Sequence, residues 1–309
     1  MNAMADVHFL SPVAKSQVET RFDDEYGIYW AFMKPSPRPC FNEGLLTQLR
    51  TYIESIIESG GVISRNGVAH PVRYGVLASK TPGVFNLGGD LSLFRSAIEA
   101  RSHDHLVRYG EMSIDDLYPW HRNCDLPMTT MALVQGDALG GGFEAALSAS
   151  VLVAEESARM GFPEILFNLF PGMGAYSFLS RKVGKRITEE LITTGNIYTA
   201  RQLYDLGVVD VLAPDGAGEA ALLSYVKKHS KSVNGRRAME SARTQIAPIT
   251  REELSKVVAI WADAALRLDE RDLRMMDRLV RAQNRTIEFS ESAMQSAEIM
   301  PLHAIGAAD

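Results

Sequence analysis

Two glycine-rich junctions and two acids are the residues best suited to chemistry. The stretch Val134–Ser150, VQGDALGGGFEAALSAS, runs three glycines into a predicted helix and places Glu144 in its first turn. Glycine stabilises strands and helices poorly, so three together need a reason. A helix start leaves backbone N–H groups free, and without Cβ atoms a ligand oxygen can approach them. The junction indicates a corner that stabilises an anion, although close packing of two elements would equally explain such a run.

A second junction lies upstream, in Val84–Phe94, VFNLGGDLSLF. It also follows a predicted strand and opens a predicted helix, with Asp90 placed to cap that helix. Alone it is a turn. Together the two junctions offer two backbone N–H donors, which is what an oxyanion hole requires. A phosphate-binding loop is disfavoured, because no Gly-Lys-Ser/Thr follows either junction.

The second acid is Glu164, in the stretch Met160–Ala175, MGFPEILFNLFPGMGA. An acid among apolar residues is costly to bury unless it faces a polar site. An exposed loop carboxylate is the ordinary alternative. If both acids face one site, their mutual repulsion raises one pKa, so the pair can hold an acid and a base together.

These stretches, together with TARQLYDLGVVDVLAP further along the chain, resemble the enoyl-CoA hydratase/isomerase (crotonase) superfamily. Three stretches resemble in particular the bacterial synthases of diffusible signal factor (DSF), a cis-2-unsaturated fatty acid used in quorum sensing. They are FNLGGDLSLF, GFPEILFNLFPGMGAYSF and MMDRLVRAQNR. The similarity runs from about Tyr26 to Arg285. Typical hydratases have Ala where Leu87 stands, and this departure follows the signal-synthase pattern.

The resemblance implies roles for matched positions. Gly89 and Gly141 match the two oxyanion-hole donors, and Glu144 and Glu164 match the paired catalytic glutamates. Three further positions match the acyl pocket of the synthases, namely Met173, Trp261 and Leu279. Ordinary core packing is the alternative for each of these three.

The implied reaction is the dehydration of a 3-hydroxyacyl thioester on acyl carrier protein to a cis-2-enoyl thioester, followed by hydrolysis to the free acid. One carboxylate removes the C2 proton and the other helps the C3 hydroxyl leave, while the N–H pair holds the thioester oxygen. The sequence does not assign these two roles. An ordinary enoyl-CoA hydratase/isomerase is the alternative, and binding to the receiver domain of a sensor histidine kinase is a second class of role. No cofactor is expected beyond the phosphopantetheine of the carrier protein or CoA.

The elements that position these residues predict an α/β fold, with short strands between helices in the first two thirds and mostly helices from about Ala175. The resemblance makes this a crotonase-like ββα spiral core with a C-terminal helical trimerisation region, and it implies a homo-oligomer that is a trimer or a dimer of trimers. The expected segments are a flexible N-terminal arm (1–24), the core (25–215), the helical region (216–289) and a tail (290–309). One long helix is predicted over Arg251–Thr286, and Leu91–Asn123 is predicted to form two helices.

Composition excludes several classes. The formal net charge of the 309 residues is −6 without a basic block, so neither nucleic acid nor an acidic membrane surface is an expected partner. Two cysteines, no secretory leader and no long apolar run predict a soluble cytoplasmic protein. His103 and His105 do not share a helix face, so no metal site is expected. Glu155 and Glu156 are expected to be solvated.

Overall fold

Strands and helices alternate through the computed structural model, which describes residues 16–281. The strands are β1 (Val18–Asp23), β2 (Ile28–Met33), β3 (Val62–Arg65), β4 (Val68–Pro71), β5 (Tyr74–Ser79), β6 (Val84–Asn86), β7 (Thr129–Val134), β8 (Asp137–Leu139), β9 (Val151–Glu155), β10 (Arg159–Gly161), β11 (Ile197–Thr199) and β12 (Val211–Ala213). The helices are α1 (Glu43–Glu58), α2 (Leu91–Glu99), α3 (His103–His121), α4 (Gly141–Ser148), α5 (Ala175–Thr193), α6 (Ala200–Asp205), α7 (Gly218–His229), α8 (Val233–Ile246) and α9 (Arg251–Ala265). A tenth helix, α10, covers residues 270–281. Short 3-10 helices lie at Asn123–Asp125, Pro163–Phe167 and Ser230–Ser232.

The strands form two larger sheets and a hairpin. The six-stranded sheet has the order β1-β2-β5-β7-β9-β12, and the four-stranded sheet has the order β11-β10-β8-β6. Within these two sheets, the pairs β1–β2 and β10–β11 are antiparallel, and every other pair is parallel. Strands β3 and β4 pair with each other as an antiparallel hairpin.

The chain repeats one path three times. Strands β5, β7 and β9 of the large sheet each lead into β6, β8 and β10 of the small sheet, and each of these leads into a helical segment. This is the ββα spiral that the sequence predicts, so the predicted fold class is confirmed. Because every repeat turns from the small sheet into a helix, the three turns come to the same side of the small sheet.

The central strands of the large sheet are largely apolar, because both of their faces are covered. Strand β7, with the sequence TTMALV, is buried at five of its six residues, and β9 is buried at all five. A parallel strand with helices on one side and a second layer on the other has no face left for polar residues. Helix α7 covers part of the outer face, where Leu222 and Val226 pack against the sheet.

The structure corrects three expectations. Residues Val18–Asp23 form strand β1, paired with β2, where an irregular arm was predicted. The long C-terminal helix is broken at residues 266–269, between α9 and α10. Glu155 is only 5% exposed rather than solvated, because its Oε1 accepts hydrogen bonds from the Gly218 amide (2.9 Å) and from Gln135 (2.8 Å).

Another expectation is confirmed, and others concern residues outside those that the structure describes. The two helices predicted between residues 91 and 123 are α2 and α3. The tail at 290–309, and the last residues predicted for the long helix, lie outside the described residues. In the described part of the chain, each helix is too short or too polar to cross a bilayer.

Candidate active site

The first glycine-rich turn joins β8 to α4. Gly140 has φ +52°, a conformation that residues with a Cβ adopt only with strain, and its amide donates to the Gly161 carbonyl of β10 at 2.9 Å. This bond holds the turn against the neighbouring strand, and Gly141 begins the helix. Every residue of α4 from Gly142 onward is buried, so the start of this helix lies inside the molecule.

The second turn joins β6 to α2. The side chain of Asn86, which is fully buried, accepts a hydrogen bond from the Gly88 amide at 2.8 Å, and Gly88 has φ +97°. Asp90 caps α2 as predicted, accepting from the amides of Ser92 (3.0 Å) and Leu93 (3.3 Å). These contacts fix the peptide that presents the Gly89 amide.

The two turns meet. A Cβ added to Gly141 would lie 3.4 Å from the amide nitrogen of Gly89, and one added to Gly142 would lie 2.0 Å from the Asn86 carbonyl oxygen. Glycine is therefore required for this close approach of helix α4 to the end of β6. Within residues 16–281, neither the Gly89 nor the Gly141 amide donates to a protein acceptor. Two adjacent N–H groups without acceptors are what binding of a ligand oxygen requires.

Glu144 points from the first turn of α4 and is 1% exposed. Its Oε1 accepts from the amides of Met173 (2.8 Å) and Ala175 (2.9 Å), at the start of α5. Burial raises the pKa of Glu144 to about 7, although the two amide donors oppose this change by stabilising the ionised form. The side chain is thus held in one orientation and titrates near neutrality.

Glu164 lies in the 3-10 helix that follows β10. Its Oε1 is so near the β8–α4 turn that a Cβ added to Gly140 would lie 2.3 Å from it. Its Oε2 is buried and has no hydrogen-bond partner among the described residues. Burial raises the pKa of Glu164 to about 8, and the negative charge of Glu144 adds to the rise. The two carboxylates therefore titrate as a coupled pair, and the pKa of each is raised above its ordinary value.

All seven residues singled out in the sequence line one cavity of ≈ 270 Å³: Gly89, Gly141, Glu144, Glu164, Met173, Trp261 and Leu279. Trp261 of α9 is 2% exposed and meets Phe94 edge-on at 5.0 Å between ring centroids. A Cβ on Gly172 would lie 2.3 Å from the Trp261 side chain, so glycine makes room for the indole there. Leu279 lines the cavity from α10 and is half-buried.

Helix α3 contributes a wall that sequence reasoning missed. Tyr109, Ser113, Asp116 and Trp120 line the same cavity. Tyr109 is next to the amide corner, since a Cβ added to Gly89 would lie 3.4 Å from its hydroxyl oxygen, and this hydroxyl donates to the Phe41 carbonyl at 2.6 Å. The signal available in the sequence was their spacing at roughly one-turn intervals, which puts them on one face of a helix.

The histidine pair lies apart from this cavity. His103 faces Asp263 at 3.2 Å, and His105 is 3.7 Å from Glu43. No group of three or more His, Cys, Asp or Glu residues within 16–281 is arranged to hold a metal ion.

Comparison with known proteins places this geometry in a family. Residues 69–260, more than half of the chain, match the family model described as enoyl-CoA hydratase/isomerase. The chain belongs to the enoyl-CoA hydratase/isomerase family. Both glycine-rich turns, both glutamates and most of the ββα spiral fall inside the matched residues.

Several hydratases are similar to this member of the family. They include the probable enoyl-CoA hydratase 2 of Arabidopsis thaliana mitochondria, 31% identical over 189 residues (60% of this chain and 56% of that protein). A probable enoyl-CoA hydratase of Rhizobium meliloti is 34% identical over 146 residues (47% and 57%). The human mitochondrial methylglutaconyl-CoA hydratase is 32% identical over 151 residues (48% and 42%). The chain thus spans about half the length of the curated relatives it matches.

Solved structures extend the likeness of fold across more of the molecule. The human mitochondrial delta3-delta2-enoyl-CoA isomerase superposes with a TM-score of 0.71 at 16% identity, over 88% of this chain and 99% of that one. DspI of Pseudomonas aeruginosa gives a TM-score of 0.62 at 21% identity, over 77% and 92%. At these identities the likeness shows the fold shared within the enoyl-CoA hydratase/isomerase family.

Proposed function

We propose that the protein dehydrates a 3-hydroxyacyl thioester to a cis-2-enoyl thioester and then hydrolyses the thioester, releasing a free unsaturated fatty acid of the DSF type. The observation that carries the proposal is the convergence of two carboxylates and two unpaired amides on one apolar cavity. Family membership supports thioester chemistry. The resemblance of FNLGGDLSLF and GFPEILFNLFPGMGAYSF to DSF synthases supports the second step.

The first step needs a stabilised enolate. Removing the C2 proton moves negative charge onto the thioester oxygen, and the amides of Gly89 and Gly141 are placed to bind it. Loss of one such donor typically costs about 10²–10³-fold in rate. The cavity around them is largely apolar, which strengthens both hydrogen bonds relative to the same bonds in water.

The same step needs an acid and a base. One carboxylate takes the proton from C2, while the other gives a proton to the C3 hydroxyl, which leaves as water. Glu144 and Glu164 have pKa values near neutrality, at about 7 and about 8, so a state with one proton on the pair is well populated at neutral pH. At the end of the step the base carries a proton and the acid has lost one, so the two carboxylates have exchanged their protonation states.

Hydrolysis uses the same corner. Water adds to C1, the thioester oxygen again becomes an oxyanion, and collapse of this intermediate breaks the C–S bond. The products are the free acid and the carrier thiol. A carboxylate of the pair takes the proton of the attacking water, and the thiol leaves protonated. One oxyanion site therefore serves both steps.

The test is incubation of the purified protein with 3-hydroxydodecanoyl acyl carrier protein and, separately, with 3-hydroxydodecanoyl-CoA and crotonyl-CoA. We expect free cis-2-dodecenoic acid, identified by mass spectrometry and by the coupling between its vinyl protons. Unchanged substrate would dismiss the proposal. Hydration of crotonyl-CoA without any free acid would instead identify an ordinary enoyl-CoA hydratase.

Matched variants link the products to the site. Glu144→Gln and Glu164→Gln should each lower kcat/KM by about 10²–10⁴-fold, the usual value of one acid–base group. Glu156→Gln is the control, because Glu156 is exposed and pairs with Arg201 on the surface. Exchange of the C2 proton with deuterated solvent identifies the base, since the variant that lacks the base loses this exchange.

Two proposed partners rest on the resemblance alone. They are acyl carrier protein, as the carrier of the substrate, and the receiver domain of a sensor kinase. A pull-down of receiver domains with the double variant Glu144→Gln/Glu164→Gln separates binding from catalysis. Retention of a receiver domain by this variant would support a regulatory role beside the enzymatic one.

A further inference from the structure

The cavity continues beyond the carboxylates along one face of α3. From Tyr109, beside the amide corner, the lining residues of this helix follow as Ser113, Asp116, Leu117 and Trp120. At 1.5 Å per residue, Asp116 lies about 10 Å and Trp120 about 16 Å from Tyr109 along the helix axis. This part of the cavity, which we call the α3 channel, is where the distal part of an acyl chain would lie.

The opposite walls of the α3 channel are apolar. They consist of Leu46, Leu49 and Ile53 from α1 and Leu77 from β5. All four are buried. A saturated chain needs no other surroundings, so a polar group at the end of the channel requires a separate explanation.

The end of the channel carries two polar atoms without partners. Asp116 is 5% exposed, and its Oδ1 accepts from Arg50 Nε at 2.8 Å. Its Oδ2 is buried and unpaired among the described residues, and so is the indole Nε1 of Trp120. The two residues stand one helical turn apart on the same face of α3. Leaving a buried donor or acceptor unpaired is costly, so such a pair indicates a missing partner.

The chemistry of the two atoms defines what would satisfy them. Oδ2 of an ionised Asp116 is an acceptor, and the Nε1–H group of Trp120 is a donor. A hydroxyl group both donates and accepts, so it can satisfy both. A methyl end would satisfy neither, and beside an ionised Asp116 a ketone would satisfy only the indole and a carboxylate would add negative charge. Burial raises the pKa of Asp116 to about 7, and a protonated Asp116 could still pair with a hydroxyl oxygen.

We propose that the preferred acyl chain carries a hydroxyl group at or near its distal end, and that Asp116 and Trp120 recognise it. The inference rests on the proposed function, since it names the class of substrate for the same cavity. Asp116 and Trp120 are then residues that determine specificity and do not take part in bond making at C1 to C3.

The test uses binding and needs no turnover. The probes are primary amides of straight-chain acids, from octanamide to tetradecanamide, each with and without a hydroxyl on the terminal carbon. Their affinities are measured by calorimetry on the full chain. At the chain length that reaches Asp116, we expect the hydroxylated amide to bind about 10-fold more tightly than the plain one, the value of one or two net hydrogen bonds.

Variants assign the preference to the two side chains. Asp116→Asn replaces the free acceptor by a donor, and Trp120→Phe removes the N–H but keeps a ring, so each should abolish most of the preference. Asp115→Asn and Trp30→Phe are the matched controls, because neither residue lines the cavity. Thermal melting of every variant shows that it is folded, and Trp120→Phe suffices if Asp116→Asn does not fold.

The outcomes separate the inference from the proposed function. If the plain amides bind at least as tightly at every length, the two polar atoms hold water only and the inference fails. It also fails if both variants keep the wild-type preference. If the hydroxylated amides are preferred while thioesters are not turned over, the inference stands and the proposed reaction falls.

Discussion

At the scale of single residues, the backbone conformation of the two glycine-rich turns dictates where glycine must stand. Gly140 and Gly88 occupy positive φ, and Gly142 leaves no space for a Cβ, so glycine at these positions carries structural information that can be read locally. Buried acids were harder to predict. Nothing near Asp116 or Glu155 in the sequence shows that Arg50 or Gly218 lies beside it, because those contacts depend on the tertiary fold.

A residue-scale prediction concerns Glu164 and pH. The pKa of this carboxyl is about 8 in the folded protein against an ordinary 4.5, so folding binds its proton. Its contribution to stability is complete below pH 4.5 and is lost as the pH rises through about 8. Glu164→Gln removes this loss. We therefore compare the stability of the variant with that of wild type, as the difference in their free energies of unfolding. Between about pH 5 and about pH 9 this difference should shift in favour of the variant by more than about 1 kcal/mol.

Denaturant titrations of wild type and variant at both pH values measure this difference. Glu156→Gln serves as the control, since this exposed side chain belongs to no buried site. A difference between Glu164→Gln and wild type that does not change with pH would contradict a raised pKa for Glu164.

At the scale of elements, periodicity and turn residues predicted an α/β order of short strands and helices but misjudged the chain ends, and the ββα spiral followed from the family resemblance. Helices α2 and α3 follow from their apolar spacing and the Asp90 cap. Strand β1 was missed because four of its six residues are charged or polar and its burial does not alternate, so only its pairing with β2 makes it a strand. The break at residues 266–269 was missed because the amphipathic pattern continues across it.

An element-scale prediction concerns the β8–α4 turn. Gly140→Ala places a Cβ at positive φ and 2.3 Å from Glu164 Oε1, so the carboxylate must move. We expect a loss of about 10²-fold in kcat/KM from this displacement, together with a backbone cost of about 1–3 kcal/mol in stability. Steady-state kinetics and denaturant titration measure the two effects.

Gly207→Ala is the matched control. Gly207 also has positive φ, at +79°, but a Cβ there would meet nothing within 4 Å. It should lose stability by a comparable amount and keep its activity. Equal activity losses in the two variants would show that backbone strain, rather than the position of Glu164, is responsible.

At the scale of the whole molecule, helix α8 presents apolar side chains that the described part of the chain does not cover. Met239 is 64% exposed and Ile246 is 83% exposed, and no residue of α8 is buried. We propose that this surface contributes to a homotrimer. Light scattering should give three times the chain mass, and Met239→Glu/Ile246→Glu should lower it. Val68→Glu, on the exposed β3–β4 hairpin, should leave the mass unchanged. A monomeric wild-type protein would contradict the proposal.

The buried carboxylate of Glu155 also bears on how the chain can be divided. It closes the end of β9 by accepting the first amide of α7, while Leu222 and Val226 of that helix shield Val153 from solvent. A fragment ending at residue 215 would leave the buried Glu155 carboxylate without its Gly218 amide donor and would expose an apolar surface on the large sheet. We expect such a fragment to aggregate, so the part of the chain up to residue 215 and the helices that follow it should be expressed and unfold together.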